Sequence, residues 1–162
     1  MSRFMKNLID TNKLARFLNE ANKSTYANKD VPKAASSRLE SEDYHFEKDG
    51  LIYHDTYFGV RDFIGEEIVY KNRKPVWGTN YFGFILDDGI EEKELYDFLR
   101  KALMREYDDD IIPVRGPAKF SDGEWSYRFS AKGGLENFSG QEEILLNGKI
   151  IYRCLIHGGF IR

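Results

Sequence analysis

The stretch Phe63–Trp77 reads FIGEEIVYKNRKPVW, and Phe138–Tyr152 reads FSGQEEILLNGKIIY. Phe63, Gly65, Glu67, Asn72, Lys74 and Trp77 match Phe138, Gly140, Glu142, Asn147, Lys149 and Tyr152 at one constant spacing (138 − 63 = 75). A helical pattern, LxxFLxxAxxxxY, also occurs twice. It runs from Leu14 through Phe17, Leu18 and Ala21 to Tyr26, and again from Leu95 through Phe98, Leu99 and Ala102 to Tyr107 (95 − 14 = 81). The chain thus reads as two related units, one over about 11–86 and one over about 90–161, in a single domain spanning 1–162. Units this short bury too little surface to stand alone, so the two are expected to share a core.

Each unit begins with a helix. Leu14, Phe17, Leu18 and Ala21 form one apolar stripe, capped by Asp10 or Thr11. Leu95, Phe98, Leu99 and Ala102 repeat that stripe after the turn Asp87-Asp88-Gly89. Strands are expected at 43–48, 51–58, 65–71 and 75–85, then at 118–121, 124–131, 141–146 and 149–156, with a short end at 159–161. Asp49-Gly50, Asp122-Gly123, Asn72-Arg73 and Asn147-Gly148 are the hairpin turns, Asn147-Gly148 being the strongest type I′ candidate. The predicted fold class is α+β: two tandem units of one helix plus four antiparallel strands, forming one pseudo-twofold domain with its helices on a curved antiparallel sheet.

A two-residue turn fixes register. Counting outward from Asn147-Gly148 sets Ile144 opposite Ile151 and Glu142 opposite Arg153. Counting from Asn72-Arg73 sets Val69 opposite Val76 and Glu67 opposite Gly78. Glu142 then reads as half of a cross-strand ion pair, whereas Glu67 stands beside the open space of a glycine. A carboxylate there, near Trp77 and Tyr81, suits a cationic or hydroxyl-bearing ligand. The candidate ligand contacts are Glu67, Trp77, Gly78, Tyr81, Tyr57 and His157; no catalytic or metal-ligating residue is assigned.

The remaining signals mostly exclude. The net charge is −3 and no basic run exceeds two residues, so direct nucleic-acid binding is not expected. No apolar stretch reaches a membrane span, and the N-terminus lacks the apolar core of a signal peptide, so the expected location is cytoplasmic. Cys154 is the single cysteine, and His45, His54 and His157 have neither HxH nor HExxH spacing, so no metal or cofactor is expected. Two local candidates remain: Asp108-Asp109-Asp110 for a divalent cation, and Ser36-Ser37-Arg38, in a polar loop or lid over 28–42, for an anion. Phe, Tyr and Trp make up 15% of the chain, which strand pairing and core packing account for first and an aromatic-lined pocket second.

A further set of residues carries a resemblance. Ala35-Ser36-Ser37-Arg38, Tyr53-His54-Asp55-Thr56-Tyr57-Phe58-Gly59 and Phe63-x-Gly65-x-Glu67 belong to it, as do Pro75-Val76-Trp77-Gly78 and Asn80-Tyr81-x-Gly83. Arg115-Gly116-Pro117, Phe138-x-Gly140-x-Glu142 and His157-Gly158-Gly159 complete it. Together they resemble an uncharacterised bacterial domain-of-unknown-function family, found alone or C-terminal to XRE-type helix-turn-helix regions. The resemblance implies a sensor or effector module. The leading expectation is therefore a non-catalytic small-molecule sensor or binding domain with an aromatic-lined pocket. Two alternatives stand beside it. One is a small hydrolase-like enzyme using Glu67 or Glu142 with His54 or His157. The other is a protein-interaction module, and either of the non-catalytic readings is compatible with a homodimer.

Overall fold

The computed structural model describes residues 9–107 and 111–162. Helix α1 (Thr11–Lys23) starts at Asp10, whose carboxylate accepts from the Lys13 amide at 2.9 Å. This side-chain cap satisfies one of the free donors of the first turn. Four strands follow: β1 (Glu42–Lys48), β2 (Leu51–Gly59), β3 (Asp62–Lys71) and β4 (Lys74–Ile85). Helix α2 (Glu92–Leu103) precedes β5 (Lys119–Asp122), β6 (Trp125–Gly134), β7 (Asn137–Leu146) and β8 (Lys149–Phe160). The helix-then-four-strands order therefore occurs twice along the chain.

All eight strands form one open antiparallel sheet in the order β1-β2-β3-β4-β8-β7-β6-β5. Each four-stranded set is a meander, and the two meet at the β4–β8 ladder. At that ladder Tyr81 lies opposite Ile156, residues separated by the same 75 positions as the sequence match (156 − 81 = 75).

The hairpin turns form as their residues dictate. Asn72 and Arg73 both have positive φ, as do Asn147 and Gly148, the conformation that matches the twist of the flanking strands. The register beyond them differs from simple counting. A bulge between Val69 and Tyr70 places Val69 opposite Trp77, Ile68 opposite Gly78 and Glu67 opposite Thr79. A bulge between Ile144 and Leu145 places Ile144 opposite Tyr152, Glu142 opposite Cys154 and Glu143 opposite Arg153. Each bulge adds one residue to the second strand of its hairpin, Val76 in β4 and Ile151 in β8. Both are buried together with the aromatic that follows, Trp77 or Tyr152. An extra residue shifts every later side chain by one position, so the expected pairs Glu67–Gly78 and Glu142–Arg153 do not form.

The helices cover one face of the sheet. α1 packs on β1 and β2 through Leu14, Phe17, Leu18 and Ala21, and α2 packs on β6. That inner face holds Leu51, Tyr53, Val69, Trp77, Tyr127, Ile144, Tyr152 and Ile156 in the core. The outer face carries Ile64, Phe82 and Leu155, all exposed. The polar segment before β1 is tied to this outer face rather than standing free as a lid. Ala34 bridges to Asp43, and the buried Asp43 carboxylate accepts from the hydroxyls of Ser37, Ser41 and Thr56 and contacts His54 Nε2. Although burial opposes ionisation, these hydrogen bonds hold Asp43 well below the usual carboxylate range. Ser37 is therefore engaged with a carboxylate, and Arg38 pairs with Glu66, which removes the basis for an anion site at Ser36-Ser37-Arg38. The expected cation site at Asp108-Asp109-Asp110 lies outside the described residues.

Candidate functional site

Alternation along β2 points Leu51, Tyr53, Asp55 and Tyr57 toward the helices. Alternation along β3 points Gly65, Glu67 and Val69 the same way. Asp55 and Glu67 lie directly opposite each other in the β2–β3 ladder. Side chains at facing positions sit about 5 Å apart at Cβ, and two like charges there oppose folding. Both carboxyls are also buried.

The two acids are handled differently. Asp55 accepts a hydrogen bond from the Tyr81 hydroxyl at 2.6 Å. Gly65 makes that contact possible, because a Cβ on residue 65 would lie 2.4 Å from the Tyr81 oxygen. Burial pushes the Asp55 carboxyl up to about 6, with the Tyr81 bond opposing the rise. Glu67 is 3% exposed, and its Oε2 has no hydrogen-bond partner among the described residues. Burial raises its carboxyl first and the charge of Asp55 raises it further, up to about 8, against the opposing pull of Arg115 and the Tyr53 hydroxyl. A buried polar atom without a partner costs about 1–3 kcal/mol.

These acids sit at the base of a cavity of about 280 Å³, enclosed by the inner face of the sheet, α2 and the end of α1. Tyr26, Tyr57, Phe63 and Tyr96 supply its aromatic wall. Tyr26 lies past the end of α1, where its ring meets Tyr57 edge-on at 6.2 Å and carries the Arg100 guanidinium at 4.8 Å. Phe63 stacks on Tyr152 at 6.1 Å, above Gly83, where a Cβ would stand 2.1 Å from the ring. The charged groups at the mouth are mutually engaged: Lys93 pairs with Asp97 at 2.6 Å, and Lys33 pairs with Glu42 at 2.7 Å.

Glu142, at the matching place in β7, has a complete set of partners. Arg115 binds it through two parallel bonds, Nε to Oε2 at 2.9 Å and Nη2 to Oε1 at 2.8 Å. Tyr127 donates to Oε2 at 2.8 Å and Tyr152 to Oε1 at 2.9 Å. The residue facing Glu142 in β6 is Phe129, where Glu67 faces Asp55.

Among the residues expected from sequence, Glu67, Tyr81 and Tyr57 come together at this cavity. Trp77 does not line it: the indole is fully buried, donates to the Leu135 carbonyl at 2.9 Å and stacks on Phe138 at 6.1 Å. Gly78 lies on the outer face opposite Ile68, and His157 is exposed there opposite Asn80 and Ser139. The sheet therefore separates His54 and His157 from Glu67 and Glu142. Asp55 and Arg115 enter the sequence reading only through the family resemblance, with no site role attached. Asp55 carried a readable signal, being the one acidic residue in the otherwise apolar alternation Leu51, Tyr53, Asp55, Tyr57. Arg115 acts across a loop, and no spacing rule links it to Glu142. Among the described residues no group of three or more His, Cys, Asp or Glu side chains is arranged to hold a metal ion.

The chain belongs to a family described as a domain of unknown function, DUF5680, whose family model matches residues 55–161. Neither the curated proteins nor the solved structures include a significant match to this chain. Among the described residues no helix is long and apolar enough to cross a membrane.

Proposed function

We propose that this protein is a non-catalytic binding or sensor domain whose small-molecule ligand occupies the cavity between the helices and the inner sheet face. One observation carries the reading: Asp55 and Glu67 face each other, buried, with Glu67 Oε2 unpartnered, at the base of an aromatic-walled cavity. A fold gains nothing from opposing two buried carboxyls and leaving one without a donor. A ligand that donates to Glu67 accounts for the arrangement. Glu67, Tyr81 and Tyr57 are its proposed contacts, joined by Asp55, Tyr26, Phe63 and Tyr96.

The matched bulges and turns, and the Tyr81–Ile156 pair at the centre of the sheet, support an origin by duplication of one helix-plus-four-strand unit. On this reading one copy kept its buried glutamate as a structural group, and the other turned it toward a ligand. The hydrolase-like alternative has no comparable support, because its acids and imidazoles lie on opposite faces of the sheet. The sensor role and the link to regulators fit the family resemblance, and a cytoplasmic location fits an N-terminal stretch that lacks the apolar core of a signal peptide.

A screen of small compounds of mixed charge tests the reading, with thermal shift as the first readout and two-dimensional NMR as the second. Stabilising compounds are expected to perturb resonances of Tyr26, Tyr57 and Tyr96. Hits that perturb only the outer face, or a screen without stabilising compounds, would contradict it.

A further inference from the structure

We propose that the ligand is a small organic cation with N–H donors, an amidinium, guanidinium or primary ammonium, whose charged head lies between Glu67 and Asp55. This deepens the pocket reading and rests on it. The inner face buries three carboxyls, Asp55, Glu67 and Glu142, and one guanidinium, Arg115. Arg115 is engaged by both of its bonds to Glu142. The neighbouring hydroxyls are also engaged: Tyr81 with Asp55, Tyr127 and Tyr152 with Glu142, and Tyr53, which lies close enough to lower the Glu67 carboxyl, with Asn22 Oδ1 at 3.4 Å. Among the described residues, Asp55 and Glu67 are then left without a counter-charge, and Glu67 Oε2 without a donor.

Each competing ligand class meets one of these needs at most. A quaternary ammonium gains the electrostatic attraction of the aromatic rings but has nothing to donate to Oε2. A neutral amide can donate, yet it leaves two facing carboxyls without a counter-charge. An anion meets like charge at the base of the cavity, and the cations at its mouth are held by Glu42, Asp97 and the Tyr26 ring. A protonated nitrogen donates to carboxylate through charge-assisted bonds and also lies well against aromatic faces.

Proton linkage supplies a second readout. Glu67 is faced by Asp55 and Tyr53 from β2, Tyr81 from β4, Glu142 from β7 and Cys154 from β8, with Arg115 and Tyr107 from the segment after α2. In this setting its carboxyl holds a proton up to about pH 8 in the free protein. A bound cation takes the place of that proton, so binding releases it to solvent. Affinity then rises with pH below that value, by up to about tenfold per unit.

The test is calorimetric titration of the full chain with benzamidine, butylguanidine, benzamide and phenyltrimethylammonium at pH 6.5 and 7.5. The expected result is binding of at least one of the two N–H cations. The neutral and quaternary probes should bind about tenfold more weakly or worse. Binding should release protons, seen as a heat that changes with buffer ionisation enthalpy. Glu67→Gln and, independently, Asp55→Asn should each weaken the cation about tenfold, with unchanged circular dichroism. Benzamide binding as tightly as benzamidine overturns the cation while the pocket reading stands. So does cation affinity that survives both substitutions, or failure of both N–H cations while neutral compounds from the screen occupy the cavity. Failure of every probe together with an empty screen overturns both.

Discussion

Glu67 and Glu142 occupy matching places in the two four-stranded halves of one sheet, each four residues after a matched phenylalanine and two residues before a bulge. In the second half the carboxylate is enclosed by a bidentate arginine and two tyrosine hydroxyls. In the first half it faces another acid, keeps an unpartnered oxygen and opens onto a cavity. A buried acid at matching places in two strands can thus be fully partnered or left with a free oxygen, depending on the residues around it. The partners differ by few residues: Arg115, from the segment between α2 and β5, hydrogen-bonds Glu142 and only acts at a distance on Glu67, and Asp55 stands where the second half has Phe129.

The largest expected effect is on the enclosed side. Arg115→Met strands Glu142 without its counter-charge and should cost about 3–5 kcal/mol in urea denaturation. A loss under about 1 kcal/mol would mean that the second half also tolerates an uncompensated acid, and the contrast would collapse. Next is the pH dependence on the open side. Glu67 is raised from an ordinary value near 4.5 to about 8, so between these values the folded state holds a proton that the unfolded state has lost. Folding stability from this group is then fully present below the ordinary value and falls as pH rises, at about 1.4 kcal/mol per unit. Asp55 adds a slope of the same sign between its ordinary value and about 6. Denaturation of the wild type between pH 5 and 8 (about the interval set by those two values) should show the decline, and Glu67→Gln should flatten its upper part.

Smaller effects test how alike the two frames are. Gly59 and Gly133 share φ of +89°, and at each a Cβ would stand 2.1 Å from a backbone oxygen, that of Asp62 or Asn137. Gly59→Ala and Gly133→Ala should therefore cost similar amounts, about 1–3 kcal/mol each. Unequal costs in thermal unfolding would separate the halves at the level of the backbone. The smallest change is at the turns. Arg73 has a φ of 62° where the second half has Gly148, so Arg73→Gly should stabilise by about 1 kcal/mol or less in the same assay.

The sequence exposes most of the frame and only part of the site. The stripes Leu14-Phe17-Leu18-Ala21 and Leu95-Phe98-Leu99-Ala102 locate both helices, and the Asn and Asp turns locate the hairpins, because these signals are local. Glu67 is visible as a site candidate through its match to Glu142, but the pairing inferred for it with Gly78 is displaced by the bulge at Val69/Tyr70. That bulge has a local trace in the consecutive apolar residues Val76-Trp77, repeated as Ile151-Tyr152, which break strand alternation. Trp77 belongs to the core because its indole finds the Leu135 carbonyl, 58 residues away in sequence. The pairing of Arg115 with Glu142 likewise depends on how a loop crosses the sheet, and no periodicity encodes it. Asp55 lies between these cases: alternation places it on the apolar face, and the fold makes it the neighbour of Glu67.

The measurement that bears most directly on the contrast is a matched pair of urea denaturations at pH 7 (roughly midway through the interval over which Glu67 alone is protonated in the folded state), one on Glu67→Gln and one on Glu142→Gln. The first substitution replaces an acid that burial keeps neutral with an amide that can donate to Asp55, and it should leave the protein as stable as the wild type or more so. The second leaves Arg115 buried without its counter-charge and should lose about 3–5 kcal/mol. Comparable losses in the two variants would contradict the account, because Glu67 would then be as structural as Glu142.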